Sequence, residues 1–278
     1  MTVPKIPLGE WIERGTDWLD AHFGPLFDAV KSAIGSLVGF FEWVLLSGPV
    51  WLWMALFAAL TWRFGRWKFV AFTLLGLGLI FNLGFWDPTM KTLAMVVTAA
   101  LISVLFGVPI GIFCSRSNAV QNIVTPILDF MQTMPAFVYL IPAVTFFSLG
   151  VVPGVIASVI FAIPPTIRLT NLGIRQVPAD LIEAANAFGS TSMQKLVKLQ
   201  LPLALPTILA GINQTIMLSL SMVVFASMIG AQGVGAVVYK SVTQVKIGEG
   251  FEAGLAIVIL AILLDRLTQN ILKTKRKV

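Results

Sequence analysis

The chain has 278 residues, of which 57% are hydrophobic and 12% are charged. Soluble domains are about 45–50% apolar and about 25% charged, so this composition excludes an ordinary soluble domain and favours a protein embedded in lipid. The net charge of +6 would be compatible with nucleic-acid binding in a soluble protein. Here the basic residues are scattered between apolar runs, so we interpret them as topology determinants and expect no nucleic-acid partner.

Several kinds of catalytic chemistry are not expected. The chain has one cysteine, Cys114, and one histidine, His22, which do not suffice for a disulfide framework or a Cys/His metal site. They also provide no Ser/His/Asp or Cys/His catalytic set. No G-x-x-x-x-G-K-[ST] run occurs in the sequence, so hydrolysis of ATP through a phosphate-binding loop is not expected. We therefore expect a chain that is not an enzyme and holds no metal or cofactor.

Residues 1–43 are interpreted as an amphipathic N-terminal region. Within residues 1–23, apolar side chains recur at helical spacing on one side, and acidic side chains lie mostly elsewhere. This pattern is typical of a helix lying in the membrane interface, and equally of a helix packed against other protein. Residues 24–47 are increasingly apolar but contain Asp28, Lys31 and Glu42, so whether they cross the membrane is left open.

The remaining apolar runs predict a polytopic all-α membrane protein. Only helices satisfy the backbone of such runs in lipid, because a barrel would need alternating strands. We expect a transmembrane domain over 44–272, followed by a basic tail at 273–278. It would contain about seven spans, each long enough to cross: 44–62, 69–86, 92–113, 122–148, 151–171, 207–230 and 251–272.

Orientation follows from the distribution of lysine and arginine. Of the 19 basic residues, 13 fall within residues 63–68, 114–121, 168–206 and 265–278, leaving 19 − 13 = 6 elsewhere. Cytoplasmic loops carry the excess of basic residues, so these segments, including the C-terminus, are placed in the cytoplasm. The N-terminus is then outside with seven spans, or inside if 24–47 also crosses.

Prolines are frequent in two neighbouring runs. Pro126, Pro135 and Pro142 fall within 122–148, and two more prolines, at 164 and 165, fall within the next run. Breaks of this kind survive in a membrane where protein or a water-filled cavity satisfies the freed carbonyls. The pattern favours a position near a transport pathway, although kinks that serve only packing are an equal alternative. Two small residues, Gly107 and Gly111, fit close helix packing.

Asp129 is the acidic residue placed most deeply in an apolar run. A carboxylate at this depth is costly to expose to lipid, so it marks either a functional group or a structural bond to a neighbouring helix. With its neighbours it gives a set of candidate pathway residues: Asp129, Gln132, Met134, Pro135, Phe137, Tyr139 and Phe146.

The long polar segment 172–206 predicts two short helices folded across a glycine. Asp180 is a candidate cap for a helix over 181–188, which Gly189 would end in left-handed geometry. A second helix would cover 190–200 with Ser190 or Thr191 as its cap, and Leu201 and Pro202 would close the segment. Such a protrusion fits the groove of a partner protein, or lies on the membrane surface.

The spacing within this segment carries a resemblance. Glu183, Ala184, Ala185, Gly189, Leu199, Leu201 and Pro202 resemble the EAA loop of bacterial ABC-importer permeases, which prefers isoleucine where this chain has Leu199. The run WDPTMKTLAMVVTAALISVLFGVPIGI and the run TPILDFMQTMPAFVYLIPA are similar to permeases of the glycine betaine/proline betaine uptake systems. The same similarity is found in a third run, LPLALPTILAGINQTIMLSLSMVVFASMIGAQGVG. The resemblance covers roughly residues 5–272.

The resemblance implies a type I importer (MetI-like) helix bundle in the bacterial inner membrane. It also implies two copies of an ATPase that holds ATP and magnesium, a second copy of this permease, a separate extracytoplasmic substrate-binding protein, and membrane lipid around the bundle. The seven motif residues would couple the permease to the ATPase. We expect Gly189 to have positive φ or very close packing, and Glu183 to lie in the first turn of its helix.

The implied substrate is a zwitterion with a quaternary ammonium group and a carboxylate. Aromatic faces commonly hold such cations, which makes Phe137, Tyr139 and Phe146 candidates for lining the pathway. One alternative is a secondary transporter of small zwitterions that couples to an ion gradient through Asp129. Another is a membrane enzyme or an assembly factor. The long docking segment favours the importer, since an ion-coupled carrier needs no ATPase socket.

Overall fold

The structure, a computed structural model, describes residues 7–64 and 67–275. Within these ranges the chain is helical and has no β-strand, as the composition predicted. The longer helices are α1 (Leu8–Ser47), α2 (Val50–Phe64), α3 (Trp67–Asn82), α4 (Trp86–Arg116), α5 (Asn118–Thr133), α7 (Val151–Arg175), α10 (Leu201–Ser227) and α12 (Ile247–Lys275). The shorter elements are a 3-10 turn (Ala136–Tyr139), α6 (Leu140–Phe147), α8 (Ala179–Ala187), α9 (Ser192–Lys195), a π turn (Leu196–Gln200) and α11 (Val234–Thr243).

Helix α7 lies between α4 and α10 and forms the centre of the bundle. Glycines allow this close approach: a Cβ on Gly107 would lie 2.9 Å from Cγ2 of Thr166, and one on Gly111 would lie 2.6 Å from Cβ of Thr170. From the other side, a Cβ on Gly211 would lie 3.0 Å from the carbonyl oxygen of Pro165. The predicted role of Gly107 and Gly111 in close packing is confirmed.

The N-terminal helices pack around this centre. Helix α1 contacts α4 and α6, with Phe27 packed against Phe146 at a centroid distance of 4.6 Å. On the same helix, Lys31 Nζ donates a hydrogen bond to Oγ of Ser148 at 3.1 Å. The boundary placed between residues 43 and 44 falls inside α1, which continues to Ser47 without a break.

The predicted span 44–62 is wrong as a single helix. The chain breaks at Gly48, whose φ of −101° and ψ of 156° are extended, and α2 begins at Val50. Pro49 explains the break, because proline disfavours helical geometry in the residue before it and has no N–H to donate. The predicted span therefore covers the last turn of α1 and most of α2.

Four of the other predicted spans correspond to single helices, whereas the span 69–86 falls on α3 only as far as Asn82. Those at 92–113, 151–171, 207–230 and 251–272 fall on α4, α7, α10 and α12, although α10 ends at Ser227. Among the described residues, five helices are long and apolar enough to cross a membrane, α1 among them, or six with the bent pair that follows α4 counted as one. Helices α2 and α3 are apolar but shorter, with 15 and 16 residues. Lys5, Arg66, Arg276 and Lys277, counted in the charge analysis, lie outside the described residues.

The proline-rich span 122–148 is bent. Helix α5 ends at Thr133, and the helical stretch Ala136–Phe147 leaves it at an angle of 107°. The break falls at Met134 and Pro135, where the backbone is extended, whereas Pro126 lies inside α5. The sequence therefore predicted an interruption correctly, and the structure places it at the second of the three prolines.

Candidate coupling segment and translocation path

The segment between α7 and α10 begins at a firmly held helix end. The guanidinium of Arg175, the last residue of α7, donates to the carbonyl oxygen of Cys114 at 2.9 Å and to Oδ1 of Asn118 at 2.8 Å. A third bond runs to Asn171 on its own helix. These bonds fasten the end of α7 to the junction of α4 and α5, so the segment that follows extends from a fixed base.

Gly189 ends α8 by the geometry that the sequence predicted. Its φ is +71°, its N–H donates to the carbonyl oxygen of Asn186, and the N–H of Ser190 donates to that of Ala185. This pair of bonds is the Schellman arrangement, in which a left-handed residue satisfies the last carbonyls of a helix. A Cβ at Gly189 would meet no atom within 4 Å, so backbone conformation rather than close packing requires glycine here.

Helix α9 is capped and tied back to α8. The side chain of Thr191 accepts a hydrogen bond from the N–H of Gln194, and the Gln194 side chain accepts one from the N–H of Thr191, forming a capping box. Lys195 Nζ donates to Oδ1 of Asn186 at 2.5 Å across the two helices. The structure thus selects Thr191 over Ser190 as the cap and confirms two short helices folded across Gly189.

Three details of the prediction are corrected. Helix α8 starts at Ala179 with Pro178 as its N-cap, so Asp180 lies in the first turn and caps nothing. Glu183 is the fifth residue of α8 and lies just beyond that first turn. Leu201 and Pro202 do not close the segment, because the chain continues through a π turn directly into α10.

The base of the segment is buried and its outer surface is exposed. Leu196 packs in the bundle with Ile174, Ala204 and Ile208, and Leu201 lies partly buried beside them. The other motif residues are accessible or partly accessible: Glu183, Ala184, Ala185, Gly189, Leu199 and Pro202. We call residues 179–195, which comprise α8, the turn at Gly189 and α9, the coupling knob. Phe188, at its tip, is 90% exposed.

Helix α5 presents three different faces. Val120, Val124, Leu128 and Met131 pack in a cluster with residues of α4 and α7. Ile123, Ile127 and Phe130 form an exposed apolar face. A third face is polar, exposed and spaced by alternating four and three residues, which keeps it on one side of the helix: it consists of Asn118, Asn122, Thr125, Asp129 and Gln132. We call this set the polar stripe.

Asp129 on the stripe is paired with Arg168 of α7. Arg168 Nη2 lies 2.6 Å from Oδ1 of Asp129, and the two side chains are 41% and 58% exposed respectively. The sequence left open whether Asp129 is functional or is bonded to a neighbouring helix, and the structure provides such a bond without burying the carboxylate. Of the remaining pathway candidates, Gln132 continues the stripe one turn later.

The other candidates surround the bend after α5. Phe137 is exposed and packs against Phe225 of α10 with centroids 4.8 Å apart, whereas Met134 is half-buried and Pro135 is exposed. Tyr139 is buried, with its hydroxyl bonded to backbone carbonyls of α5. Phe146 packs against α1, as described above, so Tyr139 and Phe146 serve the packing of the bend in this conformation.

Sequence reasoning missed three features of these sites. Arg168 was counted only as a topology determinant, although it pairs with Asp129. The stripe positions 118, 122 and 125 were not recognised, although their heptad spacing within an apolar run is a readable signal. Phe188 beside Gly189 was also overlooked. Among the described residues, no group of three or more His, Cys, Asp or Glu side chains could hold a metal ion.

Comparison with known proteins places this geometry in a family. Residues 107–274 match the family described as "Binding-protein-dependent transport system inner membrane component". The chain is 58% identical over 275 residues to the glycine betaine transport system permease protein OpuAB of Bacillus subtilis, covering 99% of this chain and 97% of that protein. It is 55% identical over 271 residues to the glycine betaine/carnitine transport permease protein GbuB of Listeria monocytogenes, covering 96% of each.

A more distant relative and a solved structure agree with this assignment. The glycine betaine/proline betaine permease protein ProW of Escherichia coli is 47% identical, over 98% of this chain and 77% of its own length. The inward-facing MetNI methionine ABC transporter contains a chain that superposes with a TM-score of 0.62 at 22% identity, covering 69% of this chain and 95% of that one; this supports the fold alone. With the match over residues 107–274 and the near full-length identity to these permeases, the chain belongs to the inner-membrane components of binding-protein-dependent transport systems.

Proposed function

We propose that this chain is the membrane-spanning subunit of an ATP-driven importer for glycine betaine or a related quaternary-amine solute. The observation that carries the proposal is identity of 47–58% to three glycine betaine permeases over nearly the whole chain. The working assembly contains two copies of this permease, two copies of an ATPase subunit and a separate extracytoplasmic substrate-binding protein. It lies in the bacterial inner membrane, with the C-terminus on the cytoplasmic side.

The coupling knob is the contact with the ATPase in this proposal. It stands on the side of the bundle that carries the excess of basic residues, and it exposes apolar side chains of both helices and of the turn between them. Leu181, Phe188 and Met193 are 39% to 90% exposed, and Val197 in the adjoining π turn is 48% exposed. An exposed helical surface of this kind fits a partner's groove. ATP and magnesium would be bound by the ATPase, and this chain would supply the translocation path without catalysing a reaction.

The path follows the polar stripe and the bend after α5. Polar side chains in membrane helices face a bundle interior or a water-filled cavity rather than lipid. In the single chain the stripe is exposed. In the assembly that we propose, the second copy of the permease covers the stripe and encloses the path. Asp129 and Gln132 on the stripe, and Met134, Pro135 and Phe137 at the bend, are the residues we assign to the path.

The proposal is tested by reconstitution into liposomes. The permease with its cognate ATPase and with binding protein outside the vesicle should accumulate labelled glycine betaine when ATP is enclosed. The same vesicles without ATP, or with an ATPase whose phosphate-binding lysine is replaced, should not. Accumulation by the permease alone under a sodium or proton gradient would overturn the importer and support the secondary transporter.

A further inference from the structure

The pair formed by Asp129 and Arg168 is unusual in its placement. Arg168 lies seven residues before the end of α7 and Asp129 lies eleven residues after the start of α5. At a helical rise of about 1.5 Å per residue, Arg168 lies roughly 10 Å and Asp129 roughly 16 Å from the two helix ends that the Arg175–Asn118 hydrogen bond joins. Asp129 lies four residues before the other end of α5, at the bend. Two other ion pairs, Arg14–Glu10 and Lys246–Glu249, each join residues four or three positions apart in sequence, whereas Asp129–Arg168 joins two helices.

This pair cannot face lipid in the assembled protein. Both side chains keep about half of their surface exposed, and charged groups at such depth face protein or water because exposure to hydrocarbon is expensive. Asp129 lies within the polar stripe, with Thr125 before it and Gln132 after it, both exposed, and Arg168 of α7 lies beside the stripe. The carboxylate of Asp129 and the guanidinium of Arg168 therefore lie side by side and face the same space as the polar stripe, where the path is proposed to run.

We propose that Asp129 and Arg168 form a transit site for a small zwitterion inside the permease, an inference that rests on the proposed function. The guanidinium of Arg168 has five N–H donors, so one bond to Asp129 leaves donors for a carboxylate of the solute. The carboxylate of Asp129 attracts a quaternary ammonium, which has no N–H and interacts through its charge. A solute with both groups would separate the pair and leave each protein charge with a partner.

Charge balance makes such a site selective. A lone cation that pairs with Asp129 would leave Arg168 without its counter-charge, and a lone anion at Arg168 would do the same to Asp129. When a second copy of the permease encloses the stripe, a charge left there without a partner is strongly unfavourable. When the site is empty the two residues neutralise each other, so an empty path offers neither an inorganic cation nor an anion an uncompensated charge. This arrangement admits zwitterions and disfavours simple ions.

The test measures access to the stripe in the complete reconstituted complex. Gln132→Cys, in a Cys114→Ala background, reports access through the rate at which a charged methanethiosulfonate reagent modifies the introduced thiol. Glycine betaine should slow this modification, whereas choline, which lacks the carboxylate, and acetate, which lacks the ammonium, should slow it much less. Arg168→Gln and Asp129→Asn should each weaken the protection by about tenfold or more, as expected for loss of a charged hydrogen-bonded partner. Equal protection by choline, or undiminished protection in both variants, would overturn the transit site.

A structural brace between α5 and α7 is separated by a second pair of variants. Asp129→Asn combined with Arg168→Met keeps both side chains close to their original size and removes both charges. Loss of uptake per ATP hydrolysed, at an unchanged melting temperature, supports the transit site, whereas normal uptake reduces the pair to a brace. Lys246→Gln, which breaks the Lys246–Glu249 pair of similar exposure, is the matched control and should leave uptake unchanged. If the wild-type complex takes up no betaine, the proposed function fails; if it does and the variants match it, only this inference fails.

Discussion

The hydroxyl of Tyr139 donates a hydrogen bond of 2.7 Å to the carbonyl oxygen of Met131, the residue four positions before Pro135. In an uninterrupted helix the backbone N–H at position 135 would bond this oxygen, and proline has none. The carbonyl oxygen of Phe130 accepts a second, longer bond of 3.3 Å from the same hydroxyl. The N–H of Met134 also donates to the Phe130 oxygen, so only the Met131 carbonyl loses its helical donor at Pro135. Tyr139 satisfies that carbonyl and holds α5 against the 3-10 turn that follows.

We expect Tyr139→Phe to loosen this bend. Removing the hydroxyl leaves the half-buried carbonyl of Met131 without a donor, which costs about 1 kcal/mol or more. The expected result is a lower melting temperature of the purified permease and slower uptake. Tyr239→Phe is the matched control, since Tyr239 is 37% exposed and its loss of a hydroxyl should change neither quantity. Equal melting temperatures for both variants would contradict the bracing role of Tyr139.

Gly189→Val should uncouple the permease without unfolding it. A β-branched residue at a φ of +71° is strained by roughly 1–2 kcal/mol, while the absence of any atom within 4 Å prevents a clash inside the subunit. Membrane insertion and melting temperature should stay near wild type, and binding-protein-stimulated ATPase activity should fall. Gly189→Asn, which tolerates the left-handed region, should retain more activity. The conformational explanation fails if asparagine and valine impair coupling equally.

Phe188→Ala should weaken association with the ATPase. An exposed aromatic side chain at the tip of the coupling knob has the character of an interface hot spot, for which truncation costs about 2 kcal/mol or more. Co-purification of the ATPase should drop correspondingly. Phe106→Ala, at a 56% exposed position on α4, is the control and should not affect association.

In the same assay, Glu183→Ala should have a smaller effect than Phe188→Ala. Glu183 lies beyond the first turn of α8, where the interaction of a carboxylate with the helix dipole has already weakened. An effect of Glu183→Ala as large as that of Phe188→Ala would instead indicate an ion pair between Glu183 and the ATPase.

Gly111→Leu should disrupt the centre of the bundle. A Cβ there would approach Cβ of Thr170 at 2.6 Å and the carbonyl oxygen of Ile167 at 2.7 Å, so α4 and α7 would have to separate. Overpacking of this kind costs about 1–3 kcal/mol and sometimes more. We expect reduced expression in the membrane and a lower melting temperature. Gly39→Leu on α1, where a Cβ would meet nothing within 4 Å, should be tolerated, and equal damage by both would argue against close α4–α7 packing as the cause.

Features set by local chemistry were predictable from the sequence. Composition indicated helices in lipid, and a glycine after a run of helix formers indicated the left-handed end of α8. The break at Gly48 was missed because the apolar run continues on both sides of Pro49. Proline disfavours helical geometry in the residue before it, but the prediction followed the apolar run and did not use this effect. Asp180 was misplaced because its propensity for capping does not distinguish the cap from the first turn.

Features set by tertiary contact were not predictable in the same way. Arg168 is 39 residues from Asp129 in sequence, and the sequence around each residue contains no signal that would identify the other as its partner. The two meet because α5 and α7 pack together through Leu128, Ile163 and Ile167, which brings their polar flanks side by side. The angle of the bend after α5 likewise depends on packing against α10, whereas its position at Pro135 is a local property.

The π turn at residues 196–200 lies between the coupling knob and the membrane. The N–H of Leu201 bonds the carbonyl oxygen of Leu196, five residues back, and the helical path from Ser192 to Ser227 is otherwise continuous over 36 residues. The coupling knob is therefore joined to α10 by continuous helix, and α10 runs through the bundle. A π turn holds one residue more than α-helical spacing, and one residue corresponds to about 100° of rotation. Conversion of this turn to α-helical spacing would therefore rotate α9 about the axis of α10. The other turns of the helix would keep their hydrogen bonds during this rotation.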